Sequence, residues 1–180
     1  MKNLLLLLVI LPCCCMAQSE YSDRLGINET DAVTHKAIKS TFWQVFERGS
    51  LHKNLNTFYR ISSINGAYYL DLKVIHGGDI FVVPRNGEFW LLLDDGSIVK
   101  LYNTEYKTTS IGDGARRWAG SGAEGVTLSF PITGNDMKKL LHNYVERIRL
   151  YTGDGFLERR INENRSELFM DEVALVYYSR

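Results

Sequence analysis

One short segment of the sequence combines side chains that could bind an anionic or sugar ligand. Asp113 is followed closely by Arg116, Arg117 and Trp118. Two guanidiniums beside an indole can hold a carboxylate or phosphate by bidentate hydrogen bonds, or a sugar face by stacking. The simpler interpretation, which we favour, is a solvated loop whose tryptophan packs back onto a sheet. If the segment does bind a ligand, the candidate ligand-binding residues are Arg116, Arg117, Trp118 and Asp113.

Catalytic chemistry has weaker support in the residue pattern. The sequence has no Gly-x-Ser-x-Gly nucleophile motif and its four histidines are scattered, so we predict no catalytic residue and no metal site. The alternative is a hydrolase whose acids, Asp113 and Glu124, converge only in the fold. That alternative predicts two carboxylates in one concave pocket, one of them with a pKa raised by burial.

The segment 120–125 matches the dinucleotide fingerprint G-x-G-x-x-G, but its context argues against a cofactor. The fingerprint needs a helix N-terminus after the glycines, and the residues that follow here, Val126 to Phe130, have the pattern of a strand. We predict no cofactor.

Charge balance restricts the class of partner. The 180 residues include 21 Lys and Arg and 21 Asp and Glu, for a formal net charge of zero. This balance gives no electrostatic basis for binding nucleic acid. We expect a ligand or a secreted protein as the partner. A structural or inhibitory partner of another secreted protein would show a large exposed apolar patch instead of a ligand site.

The N-terminus has the order of a secretory signal peptide. Lys2 precedes an apolar run from Leu4 to Leu11, and Ala17 offers a small residue for cleavage. The run is shorter than the ~20 residues of a membrane-spanning helix. We predict a signal peptide at 1–17, export to the periplasm or cell surface, a flexible leader at 18–36, and one domain at 37–180.

All three cysteines, at positions 13–15, precede the predicted cleavage site. The mature chain would then carry no disulfide and no thiolate ligand. The alternative is that one of these cysteines carries a lipid, which would make the protein an outer-membrane lipoprotein.

Three dipeptides predict tight turns between antiparallel strands: Asn65-Gly66, Asn86-Gly87 and Asp95-Gly96. Each favours a type I′ hairpin turn, in which both central residues need a positive φ. Apolar and polar residues alternate on both sides of the first turn, as in half-buried strands. The long segment 103–125 has no such pattern and is predicted to be a loop.

Two helices are predicted in the C-terminal half. Thr133 and Asp136 have capping-box spacing ahead of a helix that runs through Leu140 and Leu141 to Tyr144, and a second helix is predicted from about Asn162 to Tyr177. The fold class is therefore α+β, with an antiparallel β-meander sheet of about six or seven strands packed with two C-terminal helices.

Adjacent aromatic residues indicate a second possible binding surface. Tyr68-Tyr69, Phe89-Trp90 and Tyr177-Tyr178 stand in pairs. In a strand only one member of such a pair can face the core. The other could line a face that binds a sugar or a partner, although aromatic residues also favour strands for packing alone.

The chain resembles secreted proteins of unknown function from Bacteroidetes-type bacteria. The resemblance covers Ile61 to Ile161 and rests on turn, strand and cap residues, among them Ile64-Asn65-Gly66, Leu93-Asp94-Asp95-Gly96 and Phe130-Pro131-Ile132-Thr133. The signal peptides of these proteins often end in Ala-Gln, and the predicted cleavage site here lies within the same pair, Ala17-Gln18. Because it rests on turn, strand and cap residues, the resemblance bears on the fold more than on the function. It implies an exported domain and supplies no catalytic residue. A non-enzymatic domain that binds a ligand or a partner is the favoured function.

Overall fold

The computed structural model of the chain describes residues 24–47, 55–76, 80–111 and 124–179. Within these residues the chain forms strands and two helices. The strands are β1 Ile27–Thr30, β2 Ala37–Ser40, β3 Gln44–Glu47, β4 Leu55–Ile64, β5 Ala67–His76, β6 Val82–Val83, β7 Glu88–Leu93, β8 Ile98–Tyr102, β9 Lys107–Thr108, β10 Ser110–Ile111, β11 Glu124–Ile132, β12 Val145–Thr152 and β13 Gly155–Arg160. The helices are α1 Gly134–Leu140 and α2 Glu163–Tyr178.

The strands are antiparallel and form two main sheets. The large sheet has seven strands in the order β1-β2-β4-β5-β11-β10, with β3 also paired to β4. The small sheet has four strands in the order β13-β12-β7-β8, and β6 pairs with β9 alone. The predicted α+β class, with an antiparallel sheet of six or seven strands, is confirmed. The strands divide between two main sheets, where the sequence predicted one.

The hairpin predicted at Asn65-Gly66 is confirmed in its turn type. Asn65 has φ 51° and Gly66 has φ 82°, and the turn joins β4 to β5 with Ile64 opposite Ala67. Both central residues are left-handed, as a type I′ turn requires.

The hairpin at Asp95-Gly96 is also present, but its turn is of another type. Gly96 alone has a positive φ, 79°, and its N–H donates to the carbonyl of Leu93 at 3.0 Å. The Asp95 carboxylate accepts a hydrogen bond from the backbone N–H of Ser97 at 2.8 Å. This side-chain bond suits a three-residue loop that ends in a left-handed glycine.

The prediction of a hairpin at Asn86-Gly87 is wrong. The two flanking strands do not pair with each other: Val82–Val83 pairs with β9, and β7 pairs with β8 and β12. Asn86 has φ 65°, and the N–H of Gly87 donates to the carbonyl of Pro84 at 2.9 Å. The dipeptide fixes a local bend, while the partner of each strand is decided by distant residues.

Both helices begin at the predicted positions, and a side chain caps each of them. The Thr133 hydroxyl accepts from the N–H of Asp136 at 3.1 Å, and the Asn162 side chain accepts from the N–H of Arg165 at 2.9 Å. The first helix ends at Leu140 and not at Tyr144. Tyr144 is held by Asp94 instead, because its N–H donates to the Asp94 carboxylate at 3.1 Å.

Part of the segment predicted to be a flexible leader belongs to the large sheet. Ile27–Thr30 pairs with Ala37–Ser40 along its whole length. Residues 1–23, which include the predicted signal peptide and its cysteines, lie outside the described residues.

The core lies between the two sheets and under α2. Phe89 of the small sheet and Phe130 of the large sheet have ring centroids 5.3 Å apart. Phe169 of α2 stacks on Phe46 at 4.9 Å and meets Tyr59 at 5.0 Å. The void left between the sheets beside Phe89 is only about 10 Å³, about the least that holds one water molecule. The inner faces are therefore used for packing, and any binding surface of the described residues lies outside them.

Candidate functional site

The structure does not place the loop that the sequence singled out. Asp113, Arg116, Arg117 and Trp118 lie outside the described residues. Glu124 begins β11, where its backbone is opposite Ile111 on one side and His76 on the other. Its side chain is not among those described, so the ligand-binding and hydrolase assignments of this loop stay predictions.

The outer face of the small sheet, which we call the aromatic face, combines exposed rings with guanidiniums. Burial alternates along β7 and β8, so that every second side chain points away from the core. In β12 a bulge between Val145 and Arg147 shifts the alternation by one residue, which places Arg147 and Arg149 on the outer side. The aromatic face comprises Ile98, Lys100, Tyr102, Glu88, Trp90, Leu92, Arg147, Arg149, Tyr151, Phe156, Glu158 and Arg160.

Trp90 stands at the centre of this face between two cations. Lys100 on one neighbouring strand and Arg149 on the other are directly opposite it in register. The Lys100 ammonium lies 4.3 Å from the indole centroid and the Arg149 guanidinium 5.6 Å from it. The indole N–H donates to Glu88. Cation–π contacts and this hydrogen bond hold the ring in place.

Arg149 links the aromatic residues to a carboxylate. Its guanidinium lies 4.4 Å from the Phe156 ring centroid and donates to the Tyr151 hydroxyl at 3.3 Å. It also binds Glu158 through Nε at 2.7 Å and through a terminal nitrogen. The bonds to Tyr151 and Glu158 raise the pKa of Arg149. The result is a fixed, charged guanidinium surrounded by rings.

Glu158 receives hydrogen bonds from two arginines. Besides Arg149, Arg147 donates to it at 3.2 Å. The bond from Arg149 is the main reason that the pKa of Glu158 is lowered. A shallow depression of about 210 Å³ lies at this point of the face. It is lined by Trp90, Leu92, Ile98, Arg147, Ile148, Arg149 and Glu158.

The aromatic face is open to solvent at its rim. Phe156 is 55% exposed and Tyr102 is 49% exposed, and Ile98 is also exposed. The face carries four cations and two carboxylates, on a chain with a formal net charge of zero. The described part of the protein therefore places an excess of positive charge beside exposed apolar side chains.

A second concave feature, which we call the polar cleft, lies on the outer face of the large sheet. Its floor is one row of three strands, because Arg60 is opposite Asp71 and Asp71 is opposite Ser129. The Asp71 carboxylate accepts from Arg60 Nε at 2.8 Å, from the Ser129 hydroxyl at 2.7 Å and from the Ser62 hydroxyl at 3.4 Å. Asp71 is buried, and these three donors offset the cost of burying its charge.

The two walls of the polar cleft come from segments that are far apart in the sequence. Trp43 forms one wall, with the Arg60 guanidinium 4.9 Å and the Lys73 ammonium 4.1 Å from its ring centroid. The segment 103–107 forms the other wall, where Lys107 and Glu105 are an ion pair at 2.7 Å. The volume is about 340 Å³, and the lining residues are Trp43, Arg60, Asp71, Asn103, Thr104, Glu105, Lys107, Thr127, Leu128 and Ser129.

A buried acid lies apart from both surfaces. Glu172 of α2 is buried, and burial is the main reason that its pKa is raised. Gln44 donates to one of its oxygens at 3.5 Å, while the other has no hydrogen-bond partner among the described residues. The buried hydroxyl of Tyr59 has no partner there either, and burial together with the charge of Glu172 raises the pKa of Tyr59.

Among the described residues these carboxyls do not form the site that the hydrolase hypothesis requires. Asp71 and Glu105 share the polar cleft, but Asp71 is paired with Arg60 and the hydrogen bond from Lys107 lowers the pKa of Glu105. The carboxyl whose pKa burial raises, Glu172, does not line that cleft.

The described ranges contain no group of three or more His, Cys, Asp or Glu placed to hold a metal ion. They also contain no helix that combines the length and apolar character needed to cross a membrane.

The pair Phe89-Trp90 was expected to have one member in the core and one outside it. In the structure Phe89 is buried in the core and Trp90 points outward. The contribution of Arg147 and Arg149 was missed, because the bulge that turns both outward interrupts the alternation. The polar cleft was missed because its residues come from five separate parts of the chain.

Comparison of the chain with protein-family models, with curated proteins and with solved structures gives no match in any of the three.

Proposed function

We propose that the protein is a non-enzymatic domain that binds an acidic segment of a partner protein on the aromatic face. The observation that carries the proposal is the arrangement around Arg149, where the half-buried rings of Trp90 and Tyr151 and the exposed ring of Phe156 surround a guanidinium. Trp, Tyr and Arg are the residues that most often dominate the energy of protein interfaces. Half of the side chains of this face are apolar or aromatic, and an exposed apolar patch of this kind marks a site of protein interaction.

The dimensions of the aromatic face favour a segment over a whole globular surface. Four strands about 4.8 Å apart, with three outward side chains about 6.8 Å apart on each, cover about 400 Å². A standard protein interface takes about 800 Å² from each partner. A face of this size suits a short extended segment, with any further contacts made at the rim.

The charge of the face selects an acidic partner over a second copy of this chain. In a symmetric dimer the same patch meets itself, so the excess cations of the two copies would face each other. Arginine binds carboxylates bidentately, and exposed aromatic side chains bury apolar partner groups.

The proposal is tested with defined polymers by calorimetry or biolayer interferometry. A random copolymer of glutamate and tyrosine is expected to bind more tightly than polyglutamate, and polygalacturonate is expected to bind weakest. The double variant Lys100→Glu with Phe156→Ala should weaken copolymer binding at least tenfold, because it reverses one charge and removes an exposed ring.

The matched control is Lys36→Glu with Phe42→Ala, which changes the same residue types at exposed positions just before and just after β2. The control should bind like the unchanged protein, and circular dichroism should show both variants folded. Equal loss in both double variants would contradict the proposal. Tighter binding of polygalacturonate than of the copolymer would replace the protein partner with an acidic glycan.

We further propose that the domain acts after export, as the sequence of residues 1–17 predicts. Mass spectrometry of the protein from its host should then show a chain that begins at Gln18. A chain that begins at a lipidated cysteine of 13–15 would establish the lipoprotein alternative, and an intact Met1 would contradict export by cleavage.

A further inference from the structure

The polar cleft has no role in the proposed partner binding. It lies on the outer face of the large sheet, whereas the aromatic face is the outer face of the small sheet, and the two have no residue in common. We infer that the polar cleft is a second binding site, for an uncharged polyhydroxyl molecule of monosaccharide size.

The volume of the cleft fits a small ligand. Its 340 Å³ is at the lower end of the roughly 300–1,000 Å³ typical of small-molecule sites. A single sugar ring can fill it, while an oligosaccharide would have to extend beyond it.

The charges of the lining select a neutral ligand. Two cations, Arg60 and Lys107, and two carboxylates, Asp71 and Glu105, line the cleft together with hydroxyl and amide groups. An anion in the cleft would be repelled by both carboxylates, and a cation would be repelled by both basic groups. A sugar hydroxyl both donates and accepts, so a neutral polyol can use every one of these groups.

The floor of the cleft is fixed before any ligand binds. The Asp71 carboxylate holds the Arg60 guanidinium through Nε and orients the Ser129 hydroxyl. An arginine bound through Nε has four further N–H donors on its two terminal nitrogens. Because these groups are already ordered, a ligand loses less free energy in organising them.

The opposite wall is also anchored. Asn103 is buried, and its N–H donates to the carbonyl of Gly87 at 2.9 Å. Its side-chain amide donates to the carbonyl of Pro84 at 3.3 Å and to that of Glu105. Thr104 and Glu105 are therefore presented at the cleft on a backbone that is tied to the turn before β7.

Trp43 supplies the apolar surface that a sugar needs. The indole is half-buried and lines the cleft beside Arg60. The Arg60 guanidinium and the Lys73 ammonium already lie over the ring, so the indole contributes apolar surface at the side of the cleft for the C–H groups of a sugar, while the polar groups of the floor bind its hydroxyls. This combination distinguishes a sugar site from a site for a small ion.

The test is a calorimetric titration of the full chain with D-glucose, D-galactose, D-mannose and N-acetylglucosamine, and with inorganic phosphate as an anionic probe. At least one sugar is expected to bind with a millimolar or lower Kd, and phosphate is not expected to bind. The double variant Thr104→Ala with Glu105→Ala should weaken that sugar at least tenfold. Both residues are exposed at the rim, so the fold should be unaffected.

The matched control is Glu29→Ala with Thr30→Ala, two exposed positions of β1 with the same residue types. It should leave sugar binding unchanged. Absence of binding by every sugar at 50 mM would overturn the inference, and so would phosphate binding in their place or an equal loss in the control. The Thr104 and Glu105 variant should still bind the glutamate–tyrosine copolymer, so failure at one site is distinguishable from failure at the other.

Discussion

The outer faces of the two sheets follow the same alternation and yet have opposite characters. On the large sheet Phe58 and Ile75 are buried, because Trp43 and Val45 pack against them. On the small sheet Phe156 and Tyr102 are about half exposed. A strand pattern decides which side chains share a face, and the side chains that pack against that face decide whether they become core or surface. The large sheet therefore offers a preformed polar cleft, and the small sheet offers an open aromatic face.

The sharpest test of this contrast is a pair of phenylalanine truncations. Phe58→Ala removes a ring that is 4% exposed and is expected to cost about 3 kcal/mol of unfolding free energy. Phe156→Ala removes a ring that is 55% exposed and should cost less than about 0.5 kcal/mol. Urea unfolding followed by tryptophan fluorescence measures both. Similar losses would show that the two faces are not different in kind.

A smaller effect is expected from the carboxylates of the two faces. Asp71→Ala removes a buried carboxylate that accepts hydrogen bonds from Arg60 and Ser129. Because hydrogen bonds that involve a charged group are worth about 2 kcal/mol, we expect a loss of about that size. Glu158→Ala should cost less, because the Glu158 side chain is 26% exposed and the Asp71 side chain 13% exposed, and a more solvated ion pair contributes less to stability. High salt should reduce the effect of Glu158→Ala more than that of Asp71→Ala. The ranking is contradicted if Glu158→Ala is the more destabilising change.

The smallest effect sharpens the comparison between buried carboxyls that have partners and those that do not. Glu172 is buried like Asp71, but one of its oxygens has no partner among the described residues. Replacing Glu172 by Gln removes a charge that burial disfavours. Glu172→Gln is expected to increase the unfolding free energy by about 1 kcal/mol at pH 8.

The effect of this substitution should depend on pH in a defined direction. Burial raises the pKa of Glu172 above its value in the unfolded chain, so the folded protein binds that proton more tightly. Its contribution to stability is fully present below the ordinary glutamate pKa and is lost as the pH rises through the raised value. The advantage of Glu172→Gln over the unchanged protein should therefore disappear by about pH 4. An advantage that is constant across this range would contradict the assignment.

Local signals in the sequence predicted much of the secondary structure. Asn65-Gly66 predicted its turn down to the two positive φ angles, and Thr133 predicted where the first helix begins. These features depend on a few neighbouring residues, whose backbone preferences and side-chain hydrogen bonds operate over two to four positions. The same logic failed at Asn86-Gly87, where the bend is present and the hairpin is not.

By itself the sequence determined the α+β class, the strands beside Asn65-Gly66 and Asp95-Gly96, and the fact that only one of Phe89 and Trp90 can face the core. Only the tertiary structure decided that the strands divide into two sheets, that Arg149 lies among Trp90, Tyr151 and Phe156, and that Arg60, Asp71 and Ser129 form one row. The physical reason is range. Turns and caps are local equilibria, whereas strand partners and the covering of each face depend on burying apolar surface between residues far apart in the chain.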